Sequence, residues 1–179
     1  RGVPYGGELG FDLHLPIASA GEVDDDWMNA GARHGVVNAG YRAIEGLRLE
    51  KGYRAWASDL TANDTPFEAG LGWAVKLDSE IDFLGREALV RMKSEAMTRR
   101  LVGFTVDDPD AILLGRETIY RDGERVGWLT SAGWGYSIGK GIGYGYVRDE
   151  HGIDLKTIRD GNYELEVATT RFSAHAHLR

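Results

Sequence analysis

Apolar and polar positions alternate along residues 9–15, where Leu9, Phe11, Leu13 and Leu15 point one way and Asp12 and His14 the other. That period predicts a half-buried strand, entered through Gly6–Gly7 with Glu8 at its mouth. Asp24–Asp25–Asp26 then supply acids suited to a helix N-terminus, and the segment from Trp27 to about His34 reads as a helix. Tyr41, Ile44 and Leu47, spaced by three, predict a second helix ending near Gly52. "GLGWAVKLD" (70–78) reads as a strand, and "DFLGREALVRMKSEA" (82–96) as a helix with Asp82 at its N-cap. From Arg99 the texture changes to short strands, expected at 100–106, 117–121, 125–130, 142–147 and 162–168. Asp122–Gly123 marks a hairpin, because a tight primed turn needs positive φ. The pattern gives an α+β portion over 1–96, followed by an all-β portion over 97–179 that is a small barrel or sandwich.

Composition narrows the function classes. The chain has 179 residues and a formal net charge of −7 without a basic stripe, so nucleic acid and anionic membranes are poor partners. No apolar run reaches the roughly 20 residues of a membrane helix. The absence of cysteine excludes disulfides and thiolate chemistry. The chain opens at Arg1 and passes almost directly into strand material, as expected of a piece of a longer polypeptide.

Most candidate chemistry fails on context. "GYSIG" (135–139) matches a nucleophile elbow around Ser137, but "KGIGYGYV" follows it and is no helix, so a β turn is expected. The same glycines fit neither a P-loop nor a dinucleotide fingerprint; at period two on a strand they permit close packing across a barrel or beside a bulge. His175 and His177 lack a third ligand, and Asp107, Asp108 and Asp110 lack the spacing of a calcium loop, so no metal is expected. Trp73, Trp128, Trp134 and Tyr136 are expected in the core or on strand faces.

"YGGELGFDLHLP", "LRLEKGYRAW", "TPFEAGLGW", "DFLGREAL" and "GWLTSAGWGYSIGKGIGYGYV" occur in this order. Together they resemble the C-terminal half of the aminomethyltransferase family, which includes the glycine cleavage T-protein and the folate domains of sarcosine and dimethylglycine dehydrogenases. "EKGYRAW" and the ending "RFSAHAHLR" are similar to the dehydrogenase branch. The resemblance implies part of a ferredoxin-like α+β lobe over 1–96 and a C-terminal antiparallel β-barrel over 97–179. It further implies that Glu8, in the Tyr5–Gly6–Gly7–Glu8 motif, binds the pterin of tetrahydrofolate. A carboxylate offers two acceptors to the two-donor edge of that ring. Tyr5 would stack on the ring or hydrogen-bond to it. The family's folate-contacting arginine falls at Ile44 here, which leaves Arg42 as the nearest candidate. The acid near the reactive nitrogens lies upstream of the motif, so no catalytic residue is assigned.

The resemblance also implies the wider protein. An upstream FAD domain would oxidise an N-methyl amine such as sarcosine or dimethylglycine, and the one-carbon unit would pass to tetrahydrofolate. The missing N-terminal part of the same polypeptide would complete the site. The expected location is the cytoplasm, or the mitochondrial matrix in a eukaryote. The alternatives are a free-standing T-protein-like methyltransferase and a non-catalytic folate- or ligand-binding module.

Overall fold

The computed structural model describes residues 5–6 and 9–178. Three helices precede the strands: α1 (Ala20–Gly31), α2 (Tyr41–Lys51) and α3 (Arg86–Ser94). Six antiparallel strands follow: β1 (Arg99–Val106), β2 (Thr118–Arg121), β3 (Glu124–Gly135), β4 (Lys140–Arg148), β5 (Tyr163–Val167) and β6 (Thr170–His177), with the short helix α4 (Leu155–Asp160) between β4 and β5. They close into a barrel in the order β1-β4-β3-β2-β5-β6, with β6 returning to β1. This is the α+β architecture with a C-terminal barrel that the sequence suggests.

The barrel core follows from alternation. Val102, Phe104, Val106, Ile119, Leu129, Val147 and Leu165 have no exposed surface, and Ile158 of α4 joins them. The β2–β3 turn carries Asp122 at φ 53° and Gly123 at φ 86°. The β5–β6 turn makes the same demand with Ala168 and Thr169, both at positive φ, and so carries no glycine signal. Gly143 and Gly145 do lie beside a bulge. A Cβ on Gly143 would come 2.5 Å from Leu129 Cδ1, and one on Gly145 equally close to the Trp128 carbonyl.

The first 95 residues depart from the pattern in several places. Residues 9–15 form no strand: Leu9, Phe11 and Leu13 are exposed, and only an isolated bridge falls at Phe11. Alternation specifies a strand only where a neighbouring strand accepts its hydrogen bonds. Residues 70–78 are turns around a 3-10 segment at Gly72–Ala74. Helix α1 begins at Ala20, so Asp24–Asp26 lie inside it rather than at its start; Gly35, at φ 72°, closes the 3-10 turn that follows. Helix α3 is entered through Gly85 at φ 88°, without a side-chain cap, so Asp82 does not cap it. Arg86 braces this region, donating to the carbonyls of Leu77 (2.6 Å) and Ser79 (3.3 Å). Trp73 and Tyr136 are exposed rather than packed, whereas Trp128 lies on its strand face beneath the Arg148 guanidinium, 4.4 Å from the ring centroid.

Candidate functional site

Helix α2 meets the barrel through an unexpected face. Tyr41, Ile44 and Leu47, which define its apolar period, are exposed, while Gly46, Arg48 and Leu49 are buried. Gly52, at φ 79°, then reverses the chain and brings Tyr53 back over the helix.

Arg48 is the largest side chain fully buried, and it lies in a polar network. Its Nη1 donates to Asp59 Oδ2 (2.6 Å), to the Tyr53 carbonyl (3.2 Å) and to Ser131 Oγ (3.3 Å). Its Nε and Nη2 both donate to Glu45 Oε2, at 3.0 and 2.8 Å. Asp59 is equally well satisfied. Its Oδ1 accepts from Thr130 Oγ1 and Ser131 Oγ, both at 2.6 Å, and its Oδ2 also accepts from the Ala55 N–H at 2.9 Å. A buried charge pair persists only when such hydrogen bonds complete it. Burial alone would lower the Arg48 pKa, but Glu45 and Asp59 outweigh it and hold the guanidinium above its ordinary value.

Tyr5 lies beside this network. Its ring is stacked with that of Tyr53, the centroids 6.3 Å apart and the planes 17° from parallel. Burial is the main cause raising the Tyr5 phenol above its ordinary pKa; Arg48 opposes it, and Glu45, Tyr41 and Asp59 add to it. Tyr5 thus presents an aromatic face, still 36% exposed, over a Glu–Arg–Asp chain. Arg42 is exposed on α2. Glu8 lies outside the described residues. The structure therefore brings Tyr5 to Tyr53, Glu45 and Arg48.

Sequence reasoning missed Arg48, Asp59, Thr130 and Ser131. The available signals are the i,i+3 spacing of Glu45 and Arg48, and two consecutive hydroxyls in an alternating strand.

Ser137 lies in the four-residue turn joining β3 to β4, and its N–H donates to Glu50 Oε1 at 2.9 Å. His175 pairs with Asp107 (3.3 Å) and His177 with Thr105 (2.8 Å). Among the described residues no group of three or more possible ligands gathers to hold a metal ion.

Two family models divide the sequence: the GCVT N-terminal domain matches residues 2–79 and the glycine cleavage T-protein C-terminal barrel domain matches residues 99–179. The chain belongs to the glycine cleavage T-protein family. Human mitochondrial sarcosine dehydrogenase is 46% identical over 97% of this chain, which spans 19% of that protein. The aminomethyltransferase of Halothermothrix orenii is 42% identical over 80% of the chain, which covers 40% of it. Mouse mitochondrial pyruvate dehydrogenase phosphatase regulatory subunit is 38% identical over 96% of the chain and is covered to 21%. The crystal structure of glycine cleavage system aminomethyltransferase T from Bartonella henselae superposes with a TM-score of 0.80 at 25% identity, over 97% of this chain and 46% of that one. The T-protein-like chain therefore spans well under half of these curated relatives. No helix among its described residues is long and apolar enough to cross a membrane.

Proposed function

We propose that this chain is the folate-binding C-terminal part of a tetrahydrofolate-dependent one-carbon transfer enzyme, in a longer protein that oxidises an N-methyl amine such as sarcosine or dimethylglycine. The observation carrying the reading is the Tyr5–Tyr53 ring pair, held over the buried Arg48–Asp59 network at the motif that also contains Glu8. A flat heteroaromatic ring fits the open face of Tyr5, since aromatic groups bind in offset stacks. A carboxylate at Glu8 matches a two-donor edge. Tetrahydrofolate supplies a nucleophilic nitrogen that takes up the one-carbon unit. The residues of this chain would bind and orient it. Arg42, exposed on α2, is assigned as a further ligand contact.

The division into an α+β portion (1–96) and a barrel (97–179) belongs to the same reading, as do an upstream FAD domain and a location in the cytoplasm, or in the mitochondrial matrix of a eukaryote. The similarity to proteins named sarcosine dehydrogenase and dimethylglycine dehydrogenase, both mitochondrial, supports them. The similarity to a regulatory subunit supports a second reading, a module that keeps the fold without the chemistry.

Calorimetry with tetrahydrofolate separates the two. The longer protein should bind it, and Glu8→Gln should cost about 1.5–3 kcal/mol of affinity through loss of a charge-assisted bond. The 179 residues alone offer one wall of a ring site, so their dissociation constant should be no better than roughly millimolar. Failure of the longer protein to bind favours the regulatory module. Micromolar binding by the 179 residues, or a neutral Glu8→Gln, overturns the assignment of the pterin site.

A further inference from the structure

Thr130 and Ser131 are consecutive residues of β3, and consecutive strand side chains ordinarily point to opposite faces. Here both hydroxyls reach the same atom, Asp59 Oδ1, at 2.6 Å. The pairing of β3 with β4 explains how. Leu129 pairs with Gly145 and Ser131 with Tyr144, so Thr130 is an extra residue in a β-bulge. A bulge re-aims side chains, and this one faces away from the barrel core toward the helical part of the chain.

From Asp59 the connection continues outward. Asp59 Oδ2 holds Arg48 Nη1 at 2.6 Å, and Arg48 Nη1 donates in turn to the carbonyl of Tyr53 at 3.2 Å. The ring of Tyr53 is the one stacked on Tyr5. Tyr146 of β4 adds a second tie, its hydroxyl donating to the Asp59 carbonyl at 3.0 Å. One continuous run of buried and part-buried hydrogen bonds therefore joins the barrel bulge to the backbone of Tyr53.

We infer that Thr130 and Ser131 are positioning residues: the bulge fixes Asp59, Asp59 fixes Arg48, and Arg48 sets the Tyr53 carbonyl and with it the plane of the Tyr5–Tyr53 pair. The barrel thereby acts on the ligand site through Asp59 and Arg48. The ligand half of this inference rests on the folate reading above; the coupling half does not. Because Asp59 and Arg48 are buried, the coupling acts in a low dielectric where a lost donor is felt strongly.

The test is Thr130→Val, which removes the hydroxyl and nearly preserves shape, with Thr130→Ser as the conservative partner. In the 179-residue chain, Thr130→Val should shift the NMR signals of the Tyr53 amide and of the Tyr5 and Tyr53 rings, and Thr130→Ser should return them. In the longer protein, Thr130→Val should weaken tetrahydrofolate binding about tenfold, the effect of losing one hydrogen bond to a charged group. Val147→Ala, a core change on the neighbouring strand β4, controls for stability: at equal loss of thermal stability it should leave affinity unchanged. Unmoved Tyr53 signals in Thr130→Val overturn the coupling. So does an affinity loss as large in Val147→Ala as in Thr130→Val. Shifted signals restored by serine, in a protein that binds no tetrahydrofolate, uphold the coupling and overturn the folate reading instead.

Discussion

The barrel and the helical segment before it solve the burial problem in opposite ways. The barrel closes its own edges and seals an apolar interior in which Phe104, Leu129 and Leu165 have no exposed surface. Helices α1 and α3 contain no buried residue, and α1 touches the 3-10 turns on either side of it. Leu9, Phe11, Trp27, Val37, Leu84 and Val90 all face outward. The barrel is thus closed on itself, while the helical segment leaves large apolar side chains uncovered among the described residues. Only α2 among these three helices belongs to both, through Leu49 and the Arg48–Asp59 pair.

The largest effects should fall where the barrel or its seam is damaged. Phe104→Ala should cost about 3–5 kcal/mol by deleting a ring from a sealed core. Asp59→Ala should cost a similar 3–5 kcal/mol, since it leaves Arg48 buried with Glu45 as its one remaining carboxylate partner and takes the acceptor from Thr130, Ser131 and the Ala55 N–H. Chemical denaturation measures both. A small loss in Asp59→Ala would mean that water replaces the carboxylate and that the contact between α2 and the barrel is open, which erases the contrast between a sealed barrel and an exposed neighbour.

Gly123→Val should come next, at about 1–2 kcal/mol, because a β-branched residue resists φ 86°. A Cβ there would meet no atom within 4 Å, so the cost is purely conformational. Gly123→Asn, which tolerates the left-handed region, should recover most of it.

This turn also shows what the sequence carries. Asp-Gly announces the β2–β3 hairpin, and alternation announces the core of β1, β4 and β5. Each signal is local, and the barrel consists of local signals that agree. Ala168–Thr169 turns the chain just as tightly without an Asn or Gly, so the boundary between β5 and β6 was not legible. Residues 9–15 fail for the opposite reason: their alternation is plain, but it describes a surface whose pairing partner is not among the described residues. The site divides similarly. Tyr5 is visible in a glycine-flanked motif. Arg48 is not, because a charged residue in an amphipathic helix ordinarily faces solvent. Its burial depends on Asp59 and Ser131, eleven and eighty-three residues away, and no periodicity reports that.

A smaller effect should follow acidification at the edge of the seam. Burial raises the Glu68 carboxyl, but hydrogen bonds from Arg99 and Thr65 and the charge of Arg99 outweigh it, so its pKa lies below the ordinary value near 4.5. Its contribution to stability is therefore complete above about pH 4.5 and is lost as pH falls through the lower folded value. Glu68→Gln should flatten the acid side of the stability profile and leave neutral pH little changed. An unaltered acid limb would show that the Arg99–Glu68 contact, at 2.7 Å, adds nothing to folding.

The smallest effect expected is also the sharpest test of the comparison. Trp27 is 56% exposed on α1, and a tryptophan in a core would cost about 3–5 kcal/mol when cut to alanine. Here the helix has 12 residues, none of them buried, and at that length an isolated helix is marginal in water. Trp27→Ala should therefore change the stability of the 179-residue chain by no more than about 0.5 kcal/mol. Amide exchange along α1 should be fast beside that of β1 and β4, because local opening exposes no apolar surface. The same substitution in the longer protein should approach the core value if polypeptide covers this face there. A loss above about 1 kcal/mol in the short chain would break the comparison, since α1 would then be packed and the helical segment would be a folded partner of the barrel in its own right.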